Sequence, residues 1–347
     1  MGNRVTLEDI AKACGVSKGL VSRALAGKYN VGEQTREKIL KKVAELGYDQ
    51  KNLRSRSAPL KKVLLVISSR IMLKEAYWQP IIRALVHTLD QQMAMLDYFI
   101  YHEENITQED IDRLVETRTD AFVLIHTNPR IITDKLKLTR KPIVEVDPKS
   151  FHADGVTQVK FSNYDSMFVA TRKLIEDGHR ILAFYGSDLH ATSFRERHEG
   201  FLACIQSHAA EGVRGFSCIF DNQNLSYADE GMLTKLLKKE KPTALICAND
   251  IIALNAYKTI RRLGLRIPED VSVIGFDNIQ EGEVADPPLS TFNVPREDLG
   301  REVANYLLGT FHQRQLAYSQ IVVRCPFIER GSILKKGDTQ HEIPSDS

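Results

Sequence analysis

VTLEDIAKACGVSKGLVSRALAG, residues 5–27, reads as two short helices joined by a tight turn. Thr6 followed by Asp9 makes a capping-box start, and Leu7, Ile10 and Ala11 recur behind it at helical spacing. Gly15 breaks that helix. Ser17 suits the cap of a second, with Val21, Ala24 and Leu25 on one face and Gly27 at its close. A third helix is predicted from about Glu33 to Leu46, with Ile39, Val43 and Leu46 inward and Gly47 as its stop. Gly32 precedes it, where glycine is tolerated as a cap. Helix, glycine turn, helix is the helix-turn-helix layout, in which the N-terminal residues of the second helix meet base edges in the DNA major groove. Here these are Ser17, Lys18, Gly19, Leu20, Ser22 and Arg23. Lys18 and Arg23 suit guanine O6 and N7, Leu20 a thymine methyl, and the serines phosphate or base. Alone the pattern is weakly specific, because other small helical bundles share it.

Charge supports the same reading. The chain has 347 residues and a formal net charge of +2. Residues 1–62 hold 14 Lys and Arg against 6 Asp and Glu, and the remainder is net acidic. A basic unit on a mildly acidic body fits a DNA-binding head on a body with another task, although a solvated basic surface would carry the same charge. The polar stretch DQKNLRSRSAPLK, residues 49–61, buries little and marks a domain boundary.

Beyond it, short apolar runs recur: KVLLVIS at 62, MLDYFIY at 95, AFVLIH at 121, PIVEV at 142, ILAFYG at 181, ALICAN at 244 and VSVIGF at 271. Stretches of helical length separate most of them. This alternation predicts parallel sheets with helices on both faces, and there are too many units for one sheet, so two α/β lobes are expected. Ligands in such folds sit beyond the carboxyl ends of the strands, which makes the cleft between lobes the candidate binding site.

The order of motifs is far more specific. VTLEDIAKACGVSKGLVSRALAG with TREKILKKVAELGY, then LIEDGHRILAFYG, RHEGF, TALICANDIIALNAYKTIRRLGLRIPEDVSVIGFDN and PPLST closely resemble the LacI/GalR family of transcriptional regulators over residues 4–331. The resemblance implies a helix-turn-helix head (1–48), a hinge (49–61), a body of two lobes similar to periplasmic binding proteins (62–331) and a polar tail (332–347). It implies a sequence-specific repressor, cytoplasmic and homodimeric, reading a pseudo-palindromic operator under the control of a small effector, with no cofactor. It adds Thr6, Asn30, Thr35, Tyr48 and Asn52 to the DNA-contacting set.

At the hinge the sequence departs from the family. A leucine normally wedges between base steps in the minor groove. Counted from Asn52 that position is Ala58; counted from Tyr48 it is Ser57. Arg54 and Arg56 then hold the groove electrostatically, or Leu53 or Leu60 substitutes in a shifted register.

For the effector, the resemblance points to Arg197 and Asp277 as hydroxyl-binding groups, a role that charge-assisted hydrogen bonds favour. Asn249 is expected to line the cleft while Asp250 caps the next helix, and Trp78 is expected to stack on the ligand or pack the lobe. Ser69 and Asn163 are further cleft candidates. Ser162 and Asn163 stand where the family usually has Asp-Asn, which points away from a common hexose. The expected ligand class is a sugar or sugar derivative. A regulator of the same family that takes a phosphocarrier protein as corepressor is the alternative.

Other classes fit less well. His126, His179, His190 and His198 form no recognisable triad, and no GxGxxG or P-loop follows the first strand, so an enzyme is not expected; His179 reads as structural. Cys14, Cys204, Cys218, Cys247 and Cys325 show no metal-binding spacing and read as reduced thiols. The N-terminus lacks the apolar core of a secretory signal, which a solute-binding transport protein would carry.

Overall fold

The computed structural model describes residues 5–25, 31–46, 61–72, 75–103, 105–126, 130–149, 154–187, 192–220, 229–313 and 318–336. The chain divides into two compact units, Met1–Leu60 and Lys61–Ser347.

In the head, α1 (Leu7–Cys14), α2 (Lys18–Leu25) and α3 (Glu33–Glu45) bury Ile10, Cys14, Val21, Ala24, Ile39 and Val43 against one another. The capping box is formed: Thr6 Oγ1 accepts from the Asp9 backbone, and Asp9 Oδ2 accepts from the Thr6 backbone at 2.8 Å. Gly15 ends α1 with φ +69, a left-handed conformation that glycine adopts without a Cβ penalty. Ser17 Oγ accepts from the Leu20 backbone at 3.3 Å, so this serine does cap α2. Gly32 precedes α3 without a side-chain cap.

The body holds two parallel sheets. The first has six strands in the order β11-β5-β4-β3-β1-β2: β1 (Lys61–Ser68), β2 (Ala94–Tyr101), β3 (Ala121–Ile125), β4 (Ile143–Val146), β5 (Thr157–Phe161) and, from far along the chain, β11 (Gln320–Val323). β1 is apolar from Val63 to Ile67 because both its faces are covered there. Val63, Leu65 and Ile67 face the core that includes Trp78, Ile81 and Leu85 of α5 (Glu75–Gln91). Leu64 and Val66 face Leu114 of α6 (Gln108–Glu116) and Ile132 of α7 (Arg130–Lys137). Full burial of each such side chain contributes roughly 1.5–3 kcal/mol. A short helix, α4 (Ser69–Met72), follows β1.

The second sheet has the order β7-β6-β8-β9: β6 (Ile181–Ser187), β7 (Arg214–Phe220), β8 (Ala244–Cys247) and β9 (Ser272–Ile274). Around it lie α8 (Asn163–Glu176), α9 (Thr192–Ser207), α10 (Glu230–Glu240) and α11 (Asp250–Arg262). Gly200 explains the RHEGF motif: a Cβ there would lie 2.2 Å from the Tyr164 carbonyl oxygen, so glycine lets α9 approach the backbone of α8. A short α12 (Gln280–Glu283), the two-stranded ribbon β10 (Thr291–Phe292) with β12 (Phe327–Ile328), and α13 (Arg296–Gln313) complete the body.

Three chain segments join the lobes, around Ser162, around Asn293 and around Cys325. They bond to one another. Ser162 N donates to Val323 O at 3.0 Å, Cys325 N to Ser162 Oγ at 3.0 Å, and Asn293 N to Pro326 O at 2.9 Å.

All seven apolar runs are strands or strand-bearing, and the parallel two-lobe architecture is the one expected. β5, β7 and β11 carry a weaker signal in the sequence, since TQVKF, RGFSCIF and QIVV are short and mixed in polarity. The expected polar tail from 332 begins later. Ser332 is fully buried and donates to Val273 O at 2.6 Å, Leu334 N donates to Ser272 Oγ, and Lys336 N donates to Asp177 O. His179 is structural, as expected: its ring bonds Thr243 Oγ1 at 2.9 Å and Leu334 O at 3.1 Å. Burial pushes its pKa down to about 4.

Candidate functional site

In the head, burial sorts α2 into two faces. Val21 and Ala24 are buried, while Ser17, Lys18, Gly19 and Arg23 are exposed and Leu20 and Ser22 are partly so. The exposed face therefore carries every polar residue assigned to base reading. Lys18 lies 3.6 Å from Glu8, but both side chains are 63% exposed, so this pair holds Lys18 only loosely. Thr6 uses its hydroxyl inside the capping box, donating to Asp9 Oδ2 at 2.7 Å, which fixes the start of α1. Thr35 is half-buried on the first turn of α3. Asn30, Tyr48, Asn52, Arg54 and Arg56 lie outside the described residues.

In the body, polar groups gather where the carboxyl ends of the strands meet. Arg197, on α9, is 3% exposed and tightly held. Its Nε donates to Asn163 Oδ1 at 3.0 Å, one Nη donates to Ala248 O at 2.7 Å, and its guanidinium lies 3.7 Å from the Phe276 ring centre. Asn163 in turn donates to Glu196 Oε2 at 3.1 Å, and Glu196 is paired with Lys160 of β5. Asn163 is thus a positioning residue for Arg197. Ser162 bonds Ser166 Oγ and accepts from the Cys325 backbone, which holds it within the crossover between the lobes.

Asp277 follows β9 in a backbone conformation, φ +119, that a non-glycine residue rarely adopts. It is 8% exposed, and its Oδ1 is buried without a hydrogen-bond partner. Burial raises its carboxyl to about 7; Arg197 opposes the shift and Asp250 adds to it. Asp250 underlies this loop: its carboxylate accepts from the Ile279 backbone at 2.9 Å and from Thr291 Oγ1 at 2.6 Å.

The expected cap is not the one formed. Asn249 caps α11, accepting from the Ile252 backbone at 2.9 Å, and Asp250 does not cap it. An asparagine at the end of a strand reads equally as cap or ligand contact, and the loop that claims Asp250 lies almost thirty residues away in sequence, out of reach of local pattern.

Trp78 is 4% exposed, with its ring centre 5.8 Å from that of His126 and 4.9 Å from that of Tyr77. It packs the lobe. The aromatic among the charged groups is Tyr77, whose phenol is pushed well above its usual pKa by burial and by Asp147 and Asp277. Arg296, at the start of α13, lies with its guanidinium 4.8 Å from the Tyr77 ring centre and donates to Asp277 O at 3.1 Å. Asp147, just past β4, stands 3.6 Å from His126 Nδ1. Ser69 bonds His102 Nδ1 at 2.8 Å on the first lobe's side.

Sequence reasoning missed Asp147, Arg296 and the Lys160–Glu196 pair. The position of Asp147 at a strand's carboxyl end was a usable signal; Arg296 and Lys160 carry none in their local sequence. Among the described residues, no group of three or more His, Cys, Asp or Glu is placed to hold a metal, and no helix is long and apolar enough to cross a membrane.

Comparison with known proteins agrees with this layout. Residues 6–50 match the model described as bacterial regulatory proteins, lacI family, and residues 171–333 match the periplasmic binding protein-like domain. The HTH-type transcriptional repressor PurR of Aliivibrio salmonicida is 28% identical over 338 residues, covering 92% of this chain and 98% of the relative. That of Actinobacillus pleuropneumoniae is 29% identical, covering 87% and 90%. Among solved structures, the transcriptional regulator CelR in complex with cellobiose aligns over 95% of this chain and 100% of its own, with a TM-score of 0.64 and 25% identity. The Lac repressor dimer bound to operator and the anti-inducer ONPF shares the fold, with a TM-score of 0.67 and 23% identity.

Proposed function

The chain belongs to the lacI family of bacterial regulatory proteins, and from that membership we propose that it is a sequence-specific transcriptional repressor whose grip on its operator is set by a sugar or sugar derivative held between the lobes of its body. The observation that carries the DNA half is the exposed face of α2, where Ser17, Lys18, Gly19 and Arg23 stand clear of solvent-excluded Val21 and Ala24. A short helix with its apolar face buried and basic, hydroxylated groups outward is shaped for the major groove.

The effector half is supported by the cleft. Arg197, Asp277, Asn163, Tyr77 and Asp147 combine fixed donors and acceptors with an aromatic face, the combination that hydroxyl-rich ligands use. A likeness to a regulator solved with cellobiose is in keeping with the same class. Asn249 acts at the helix cap, and Ser69 is bonded to His102.

A homodimer fits the outer edge of the first sheet. β2 ends that sheet, and it exposes Met95, Tyr98 and Ile100, each close to half accessible. Unpaired apolar edge strands are normally covered. A dimer pairs two heads on a pseudo-palindromic operator, and ligand-driven change in lobe closure then alters the spacing of the heads.

The test is a random-oligonucleotide selection with the full chain, followed by thermal-shift screening against sugars. Enrichment of one inverted-repeat motif and a ligand that changes affinity for it are expected. No enriched sequence would defeat the reading.

A further inference from the structure

Two buried polar atoms in the cleft have no hydrogen-bond partner: Asp277 Oδ1 and Arg296 Nε. Buried groups of this kind are rarely left unsatisfied, and each calls for an explanation. The two belong together, because Arg296 Nη2 donates to the Asp277 carbonyl at 3.1 Å and so ties the start of α13 to the strained loop after β9. One is an acceptor and the other a donor. Arg296 is also held over the Tyr77 ring, which leaves its Nε direction fixed rather than free to seek water.

The chemistry that satisfies both atoms is narrow. A ligand carboxylate or phosphate would take the Arg296 donor but would meet Asp277 and Asp147. A ligand ammonium would take Asp277 but would meet Arg197 and Arg296. Neighbouring hydroxyls satisfy both without adding charge, since a hydroxyl donates and accepts. Building on the proposed sugar site, we propose that Arg296 is a specificity-determining residue that works with Asp277 to read a neutral vicinal diol.

The test uses the full chain with D-ribose, D-glucose, D-galactose and cellobiose, their monodeoxy analogues, and glucuronate and glucosamine as charged counterparts. Affinities are measured by calorimetry for wild type, Arg296→Met and Arg296→Lys. In wild type a neutral sugar binds best, and at least one of its deoxy analogues binds roughly tenfold or more weakly, as expected for loss of a hydrogen bond to a charged group. Arg296→Met narrows that sugar-to-deoxy ratio to about threefold or less, and Arg296→Lys restores part of it. The ratio is internal to each protein, so a general loss of stability does not imitate the effect. An unchanged ratio in Arg296→Met, or preference for glucuronate or glucosamine over the neutral sugar, overturns the inference while leaving the sugar site standing. Absence of binding by every sugar removes the sugar site and the inference with it.

Discussion

Arg197 donates its Nε–H to Asn163 Oδ1 at 3.0 Å, so the aim of the cleft arginine is set by the first residue after the crossover between lobes. The same asparagine donates to Glu196, whose partner Lys160 lies on the other lobe's sheet. Arg197 and the first lobe's sheet are thereby linked through three consecutive polar contacts rather than through the bulk of the core.

Removing Asn163 should be felt in stability before it is felt in binding. Asn163→Ala leaves a buried guanidinium N–H and a carboxylate oxygen without partners, at a cost of about 1–3 kcal/mol. Urea unfolding of the body measures it. Asn163→Asp should be worse near neutral pH, because a second carboxylate then faces Glu196. A midpoint equal to wild type in both variants would deny Asn163 its positioning role.

Asp277 should leave a signature in the pH dependence of stability. Its native carboxyl titrates at about 7, against about 4 in an unfolded chain. The native state therefore holds the proton more tightly, and the associated stability is complete below about 4 and lost as pH rises through 7, on the order of 4 kcal/mol in all. Asp277→Asn cannot titrate. Its unfolding free energy should gain on wild type from about pH 4 to 7 and level off above. A constant difference would place Asp277 in ordinary carboxylate range.

On DNA, Arg23→Ala should abolish the preference for operator over random duplex while leaving the body folded, as read by gel shift and by circular dichroism. Affinity should also fall steeply with salt, because phosphate contacts release counterions. Retained preference, or a flat dependence of log affinity on log salt, would exclude α2 as the reading helix.

Thr6→Ala should destabilise the head by about 1 kcal/mol, the usual value of an N-cap side chain. Thermal unfolding of the head measures this directly. Any loss of operator affinity beyond that accounted for by unfolding would assign Thr6 a DNA contact in addition to its capping role.

The head was legible because its signals are local. A cap three residues from its partner, a glycine at a left-handed turn and a 3.6-residue apolar stripe all lie within one short window, and Thr6, Gly15 and Ser17 do what that window implies. The strands buried on both faces were legible for the same reason. The cleft was legible only in part. Arg197 and Asp277 were found through motif resemblance, whereas the choice between Tyr77 and Trp78 depends on which ring the helix turns inward, and adjacent aromatics look alike in sequence. Asn249 caps α11 in place of Asp250 because a distant loop competes for the aspartate. Arg296 became visible only when a helix start from near the end of the chain was brought against Tyr77.

The first sheet takes its outermost strand, β11, from residues 320–323, beside β5. A polypeptide leaving the ribosome presents β1 to β5 long before that strand exists. The lobe that begins first stays unfinished until the chain is nearly complete, and until then β5 offers an open edge to any passing strand. Chains halted by premature termination before Gln320 should accordingly be clients of chaperones and proteases rather than small, independently folded modules.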